Sequence, residues 1–267
     1  MDSAAGIVAW TASVSTVHEP VAWALALGLL GAIAGSFLAA LVVRWPEERS
    51  VMRGRSACDA CGRTLGPAEL VPLLSALVSR GRCRGCGEAI DPVHSAIEAA
   101  AVAVGAASGW LAPGVAGVGG ALFGWLLVAL AVLDWRHFWL PDRLVAVLAL
   151  GGLGFGLAGV APALPDRLIG GAGGFLLLWG IAAGYRWWRG REGMGGGDPK
   201  LFGAVGLWLG WRLLPAVLLV AGLIGLGIVA WRAATGRGVA ADDALPLGTL
   251  IAAAAYPGWA MMVGVAP

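Results

Sequence analysis

Two carboxylates and four thiols are the residues of this chain whose types and spacing could do chemistry. Asp134 closes an apolar run over 121–133, and Asp198 lies in Gly193-Met194-Gly195-Gly196-Gly197-Asp198-Pro199-Lys200. An ionisable side chain beside a long apolar run is costly and marks a functional candidate. Two carboxylates that approach closely cannot both ionise easily, so they share one proton. The ionised member can then activate a water while the protonated member supplies a proton to an amide leaving group. That chemistry is peptide hydrolysis with neither a metal nor a nucleophilic side chain. A Ser/His/Asp arrangement does not compete: His18, His94 and His137 are the only histidines, and no serine sits in a nucleophile-elbow context.

The glycines before Asp198 let the backbone come close to another chain, which makes Gly195 and Gly197, with Lys200, the candidate substrate-binding residues. Asp198 before Pro199 also reads as a helix N-cap with proline at the first helical position. Asp142 after Pro141 reads as a second N-cap, and Asp166 fits a solvated outer loop. Blander readings stand beside the dyad. Asp134 could pair with Arg136, Asp198 could simply cap its helix, and membrane carboxylates also serve transported ions.

All four cysteines fall in one polar block, as Cys58-Asp59-Ala60-Cys61 and Cys83-Arg84-Gly85-Cys86. Two such knuckles at this separation lie just past the usual zinc-ribbon spacing. Thiolates from Cys58, Cys61, Cys83 and Cys86 would close a tetrahedral shell, which suits structural rather than catalytic Zn2+. Redox-labile thiols and inert thiols are the alternatives.

The elements that must hold these groups are membrane helices. The chain has 267 residues, 59% hydrophobic and 13% charged, against about 25% charged in ordinary soluble domains. A net charge of +2 is too small to suggest nucleic acid. Apolar segments lie near 20–43, 95–112, 115–133, 141–160, 168–187, 200–211, 214–231 and 246–264, the sixth short for a span. The expected fold is an all-α polytopic membrane protein of about eight transmembrane helices, with a small cytoplasmic zinc-binding domain between the first and second. Its domains are a first span within 1–43, the four-cysteine domain at 44–94, and a helical bundle over 95–267. Residues 1–20 hold no Lys or Arg, unlike the basic start of a signal peptide. Of the 18 Lys and Arg, all but Arg167 and Arg212 fall in 44–94, 134–143, 186–200 and 232–245. The positive-inside bias therefore puts the N-terminus outside, and both aspartates and the cysteine block at the cytoplasmic face.

The ordered set of motifs resembles one family. Asp134-Trp135-Arg136-His137-Phe138-Trp139-Leu140-Pro141-Asp142 looks like the first catalytic motif of the type IV prepilin peptidases. Gly195-Gly196-Gly197-Asp198-Pro199-Lys200-Leu201 looks like their second, the GxGD motif shared with presenilin-type proteases. Gly35-Ser36-Phe37-Leu38, Arg82-Cys83-Arg84-Gly85-Cys86-Gly87 and Gly206-Leu207-Trp208-Leu209-Gly210 continue the resemblance, and Leu245-Pro246-Leu247-Gly248 matches more weakly. The resemblance implies catalysis by Asp134 and Asp198 in a bacterial inner membrane. The implied substrates are prepilins or pseudopilins, with a short basic leader ending in glycine and a hydrophobic helix that stays among the lipids. Many members also methylate the new N-terminus using S-adenosylmethionine. Here the associated elements depart: Ala39, Asp59, Leu70-Val71-Pro72 and Val93-His94-Ser95-Ala96-Ile97-Glu98 stand where the family has asparagine, proline, Asn-Ile-Pro and Tyr-Pro-x-x-Glu. The competing class is a zinc-stapled membrane transporter or assembly scaffold whose aspartates bind ions or pack.

Overall fold

The computed structural model describes residues 3–52, 55–58, 60–236 and 244–265. Among them the only regular elements are helices, and two isolated antiparallel bridges replace any sheet. The long helices are α1 (Ser3–Arg44), α3 (Val93–Leu111), α4 (Val115–His137), α5 (Asp142–Leu157), α6 (Leu164–Arg189), α7 (Gly197–Leu209), α8 (Leu214–Ala234) and α9 (Leu247–Val265), with a single-turn α2 (Leu74–Ser79) in the polar block. All eight apolar segments form helices. Five of these, α1, α4, α6, α8 and α9, are long and apolar enough to cross a bilayer, so the chain is a multi-pass membrane protein. α7 has 13 residues, about 20 Å of rise against a hydrocarbon core of about 30 Å. It does not cross the bilayer by itself.

The backbone is helical well before the expected start near residue 20, continuing through Pro20. Proline removes one intrahelical hydrogen bond, a loss that apolar helices in membranes tolerate.

The chain divides into two compact units, Met1–Trp125 and Leu126–Pro267. In the first, α1 and α3 run antiparallel along a seam of small residues. A Cβ on Gly105 would strike the Leu27 carbonyl oxygen, and one on Gly35 would lie 2.9 Å from both Ala101 Cβ and Glu98 Cα. Without a hydrophobic driving force between helices in lipid, such close backbone approach supplies the packing attraction. The Trp125 indole N–H, at the edge of this unit, donates to the Ala101 carbonyl at 2.8 Å.

The second unit is built around α7. Leu201, Phe202 and Val205 are fully buried, as a helix apolar on every side requires. It lies against α6 through glycines: a Cβ on Gly170 would sit 2.6 Å from the Gly206 carbonyl oxygen, and one on Gly206 would overlap Gly170. Against α5 the Trp208 indole donates to the Leu148 carbonyl at 2.7 Å. The end of α7 opposite Asp198 is held by Arg167, which is 1% exposed. Its guanidinium donates to the carbonyls of Pro162, Gly152, Leu207, Val160 and Ala161 at 2.8–3.0 Å. Five N–H groups meet five backbone acceptors, so this buried cation leaves no donor unsatisfied. Asp166, expected in an outer loop, is in the first turn of α6 and accepts from the Trp211 indole at 2.9 Å.

Gly206→Leu should destabilise the protein by about 1–3 kcal/mol or more, because the α6–α7 contact leaves no room for a side chain. Gly180→Ala, on a face of α6 with no heavy atom near its would-be Cβ, should be neutral. Thermal unfolding of the detergent-solubilised variants separates the two.

Candidate active site

Asp134 lies in the last turn of α4 and Asp198 in the first turn of α7; both are buried, at 5% and 6% exposure. They come together at a third helix end. α9 begins at Leu247, and its first turn presents unpaired backbone N–H groups, as every helix N-terminus does. Thr249 N–H donates to Asp134 Oδ2 at 2.7 Å. The Thr249 hydroxyl lies 2.9 Å from the Ala131 carbonyl and 3.2 Å from Asp134 Oδ2, one proton facing two acceptors. The Gly248 N–H faces both carboxyl groups, and the two are close enough to feel one another's charge.

Glycine is required where these elements meet. A Cβ on Gly248 would lie 3.0 Å from Asp134 Oδ2 and 2.9 Å from Leu140 Cδ1, and one on Gly197 would lie 2.8 Å from Leu140 Cβ. Leu140, in the loop after α4, is thus wedged against the first turns of both α7 and α9. Any side chain at either glycine would push the helix starts apart.

Asp198 is not the N-cap of α7. Gly196 takes that position, with Gly197 the first helical residue, and the capping position makes no side-chain hydrogen bond. The carboxyl group is thereby free to turn inward, where Asp198 Oδ2 lies 3.2 Å from the would-be Cβ of Gly195. Burial, and then the neighbouring Asp134 carboxylate, push Asp198 up to about 6, partly countered by the N–H groups of Gly195 and Gly248. Asp142 likewise is the first residue of α5 rather than its cap. Both of its oxygens accept from Lys200 Nζ, at 2.7 and 2.9 Å, joining the start of α5 to the start of α7 on the exposed side of the site. Of the candidate substrate-binding residues, Gly195 borders the Asp198 carboxyl, Gly197 is packed on Leu140, and Lys200 is held by Asp142.

The chain belongs to the type IV leader peptidase family. The family model of that description matches residues 121–230, and the bacterial peptidase A24 N-terminal domain matches 29–112. A prepilin leader peptidase/N-methyltransferase of Burkholderia pseudomallei (strain 1026b) is 37% identical over 282 residues, covering 94% of this chain and 88% of that protein. Proteins of the same description are 41% identical in Aeromonas hydrophila, over 66% of this chain, and 34% identical in Pectobacterium carotovorum subsp. carotovorum, over 80%. The match spans 61% of the Aeromonas protein's length and 85% of the Pectobacterium protein's. No solved structure matches.

In this family member the four cysteines also converge. Their sulfurs all lie within 4.8 Å of one another, with Cys58 Sγ and Cys86 Sγ 3.9 Å apart. A tetrahedron of sulfurs around an ion at about 2.3 Å has edges of about 3.8 Å, whereas a disulfide needs about 2.05 Å. The donors therefore fit a tetrahedral metal ion. The two knuckles repeat one design: the Cys58 N–H donates to the Arg63 carbonyl and the Gly62 N–H to the Cys58 carbonyl, both at 2.9 Å. Cys83 with Glu88, and Gly87 with Cys83, do the same at 2.8 and 2.9 Å. Gly62 and Gly87 close the turns at φ of 71° and 76°, a conformation that favours glycine. The Cys86 and Gly85 N–H groups hold the Cys83 thiol down at about 6. Asp59, inside the first knuckle, lies outside the described residues.

Asp134→Asn removes a like charge beside Asp198 while leaving it buried. The Asp198 midpoint should therefore fall toward the ordinary carboxylate range without reaching it, as followed by the carboxyl signal in infrared difference spectra. An unchanged midpoint would mean that the two groups do not interact.

Proposed function

We propose that this chain is an aspartic endopeptidase that removes the leader of type IV prepilins or type II secretion pseudopilins, with Asp134 and Asp198 as its catalytic pair. The convergence of two buried carboxyl groups on the Gly248 N–H is the observation that supports the reading. In the hydrolysis, one carboxylate takes a proton from water as the water oxygen attacks the scissile carbonyl carbon. The other carboxyl group then gives its proton to the amide nitrogen as the C–N bond breaks. Each turnover consumes one water and returns one proton to the pair. Thr249 orients Asp134. Gly195, beside the Asp198 carboxyl, is proposed to receive the backbone around the leader's terminal glycine, with Gly197 and Lys200 fixing the start of α7 through Leu140 and Asp142.

The distribution of Lys and Arg supports an orientation in the inner membrane with this site and the cysteine block facing the cytoplasm. Trp135, Phe138 and Trp139, exposed around the end of α4, suit the membrane–water boundary, where aromatic side chains are enriched. The four cysteines would hold structural Zn2+, which would tie the two knuckles together. A cation transporter is disfavoured because the first N–H groups of α9 point at the carboxylates. An ion-binding pair would be completed by oxygen ligands instead.

N-methylation, the second activity in the relatives' names, would draw on S-adenosylmethionine. In the first unit the divergent elements meet at Glu98, 8% exposed, which accepts the Leu73 N–H at 2.8 Å. Leu70 stands where the resemblance expects an asparagine, whereas Glu98 keeps the glutamate of the Tyr-Pro-x-x-Glu element. N-methylation of the new N-terminus, the activity the relatives' names add, is proposed as the step that follows cleavage.

Asp134→Asn and Asp198→Asn should each lower cleavage of a coexpressed prepilin by about 10²–10⁴-fold, with the helical circular dichroism of the purified proteins unchanged. Thr249→Val keeps the N–H and loses the hydroxyl, so its loss should be smaller, about tenfold. Normal processing by either asparagine variant would remove that residue from the mechanism.

A further inference from the structure

The four-cysteine block contains one buried donor that its surroundings leave unmatched. Among the described residues, Arg63 Nε is a buried side-chain nitrogen with no hydrogen-bond partner. A buried polar group without a partner calls for an explanation, such as an ion or a change of charge state nearby. The rest of the guanidinium is anchored. Arg63 Nη2 donates to Glu69 Oε1 at 2.6 Å, and Glu69 Oε2 accepts the Gly66 N–H at 2.9 Å. This anchors the guanidinium while the side chain as a whole stays partly exposed.

Its position is informative. Arg63 follows the first knuckle, yet its side chain crosses to the second. A Cβ on Gly85 would lie 2.8 Å from Arg63 Nε and 3.0 Å from Arg63 Cδ. Gly85 lies between Cys83 and Cys86, and its N–H points at Cys83 Sγ from 3.4 Å. Cys83 is the buried member of the four, at 5% exposure. The guanidinium thus rests on the knuckle beside the thiol that solvent reaches least. Glu69, and after it Cys83, hold the Arg63 proton more firmly than usual.

Four thiolates on a divalent ion leave a surplus of two negative charges. Around a buried sulfur that charge is stabilised by nearby donors, as partners outside the coordination sphere commonly do for metal ligands. We propose that Arg63 is a positioning residue of the metal centre: its Nε–H donates to the Cys83 thiolate and its charge offsets part of the surplus. Glu69 holds the guanidinium in place. The inference rests on the reading that Cys58, Cys61, Cys83 and Cys86 bind Zn2+. It explains why a glycine is needed at position 85, where a side chain would displace the guanidinium.

The test uses the full-length protein in detergent, stripped of metal and titrated with Zn2+ against a chromophoric chelator and, separately, with Co2+. The wild type should bind one ion per chain with the spectrum of a four-thiolate Co2+ site. A wild type that binds none overturns the zinc reading itself. Given binding, Arg63→Met should weaken Zn2+ affinity by about 10–100-fold. Its Co2+–thiolate charge-transfer band should move to lower energy, since a thiolate that loses a hydrogen bond gives up an electron more easily. Arg63→Lys, retaining the charge, should recover part of the affinity. Glu69→Gln, loosening the guanidinium, should lie between wild type and Arg63→Met. A role in packing alone would not move the band. Affinity within about twofold of wild type and an unshifted band in Arg63→Met would overturn the proposal. Should that variant fail to fold, wild-type affinity and band position in both Glu69→Gln and Arg63→Lys would do so.

Discussion

Two acidic side chains brought into apolar surroundings repel one another and lose their hydration, and the second unit is organised around making that tolerable. The compensation comes from main-chain N–H groups at the start of α9, which face the carboxyl groups of Asp134 and Asp198. Three helix ends must therefore arrive at one point. Glycines at 197 and 248 permit the approach, and Leu140 fills the space between the two helix starts. The last turn of α4, the first turn of α7 and the first turn of α9 form one device, although they are distant in sequence. The shortness of α7 follows from the same need, since its first turn must meet the site while its far end stays within the bundle.

Much of this was legible in the amino-acid order. Asp134 and Asp198 stood out because carboxylates beside long apolar runs are rare, and the glycines before Asp198 advertised a close backbone approach. The helices followed from the length of the apolar runs. Capping was misjudged in a consistent way. A proline next to Asp142 and next to Asp198 suggested N-caps, but each aspartate lies inside its helix. Its side chain is then directed to another element, to Lys200 or toward Asp134, rather than to its own backbone.

Thr249 was invisible for a different reason. Leu247-Gly248-Thr249-Leu250 reads as the start of an ordinary apolar helix, and what it contributes to the site is mostly peptide N–H, which every residue carries. Gly248 was the only available signal, a residue without a side chain at the mouth of a span. Arg63 was similarly hidden among the arginines of its block. Nothing in the order of residues separates a guanidinium that lies against a thiol from one that faces water. The ion pair of Asp142 and Lys200 bridges 58 positions and depends on where α5 and α7 begin.

The clasp on Arg167 has a bearing on how such chains diverge. All five acceptors are peptide oxygens, so side-chain identity at 160, 161 and 207 does not enter what the guanidinium sees, although a Cβ at Gly152 would press on the Leu207 carbonyl. The arginine behaves like a cation on a tether, caged by main chain in the way a selectivity filter cages a dehydrated ion. In an evolutionary comparison it would look invariant and yet solitary, with no second position changing in step. Contact inference from paired substitutions would pass over one of the tightest joints in the molecule.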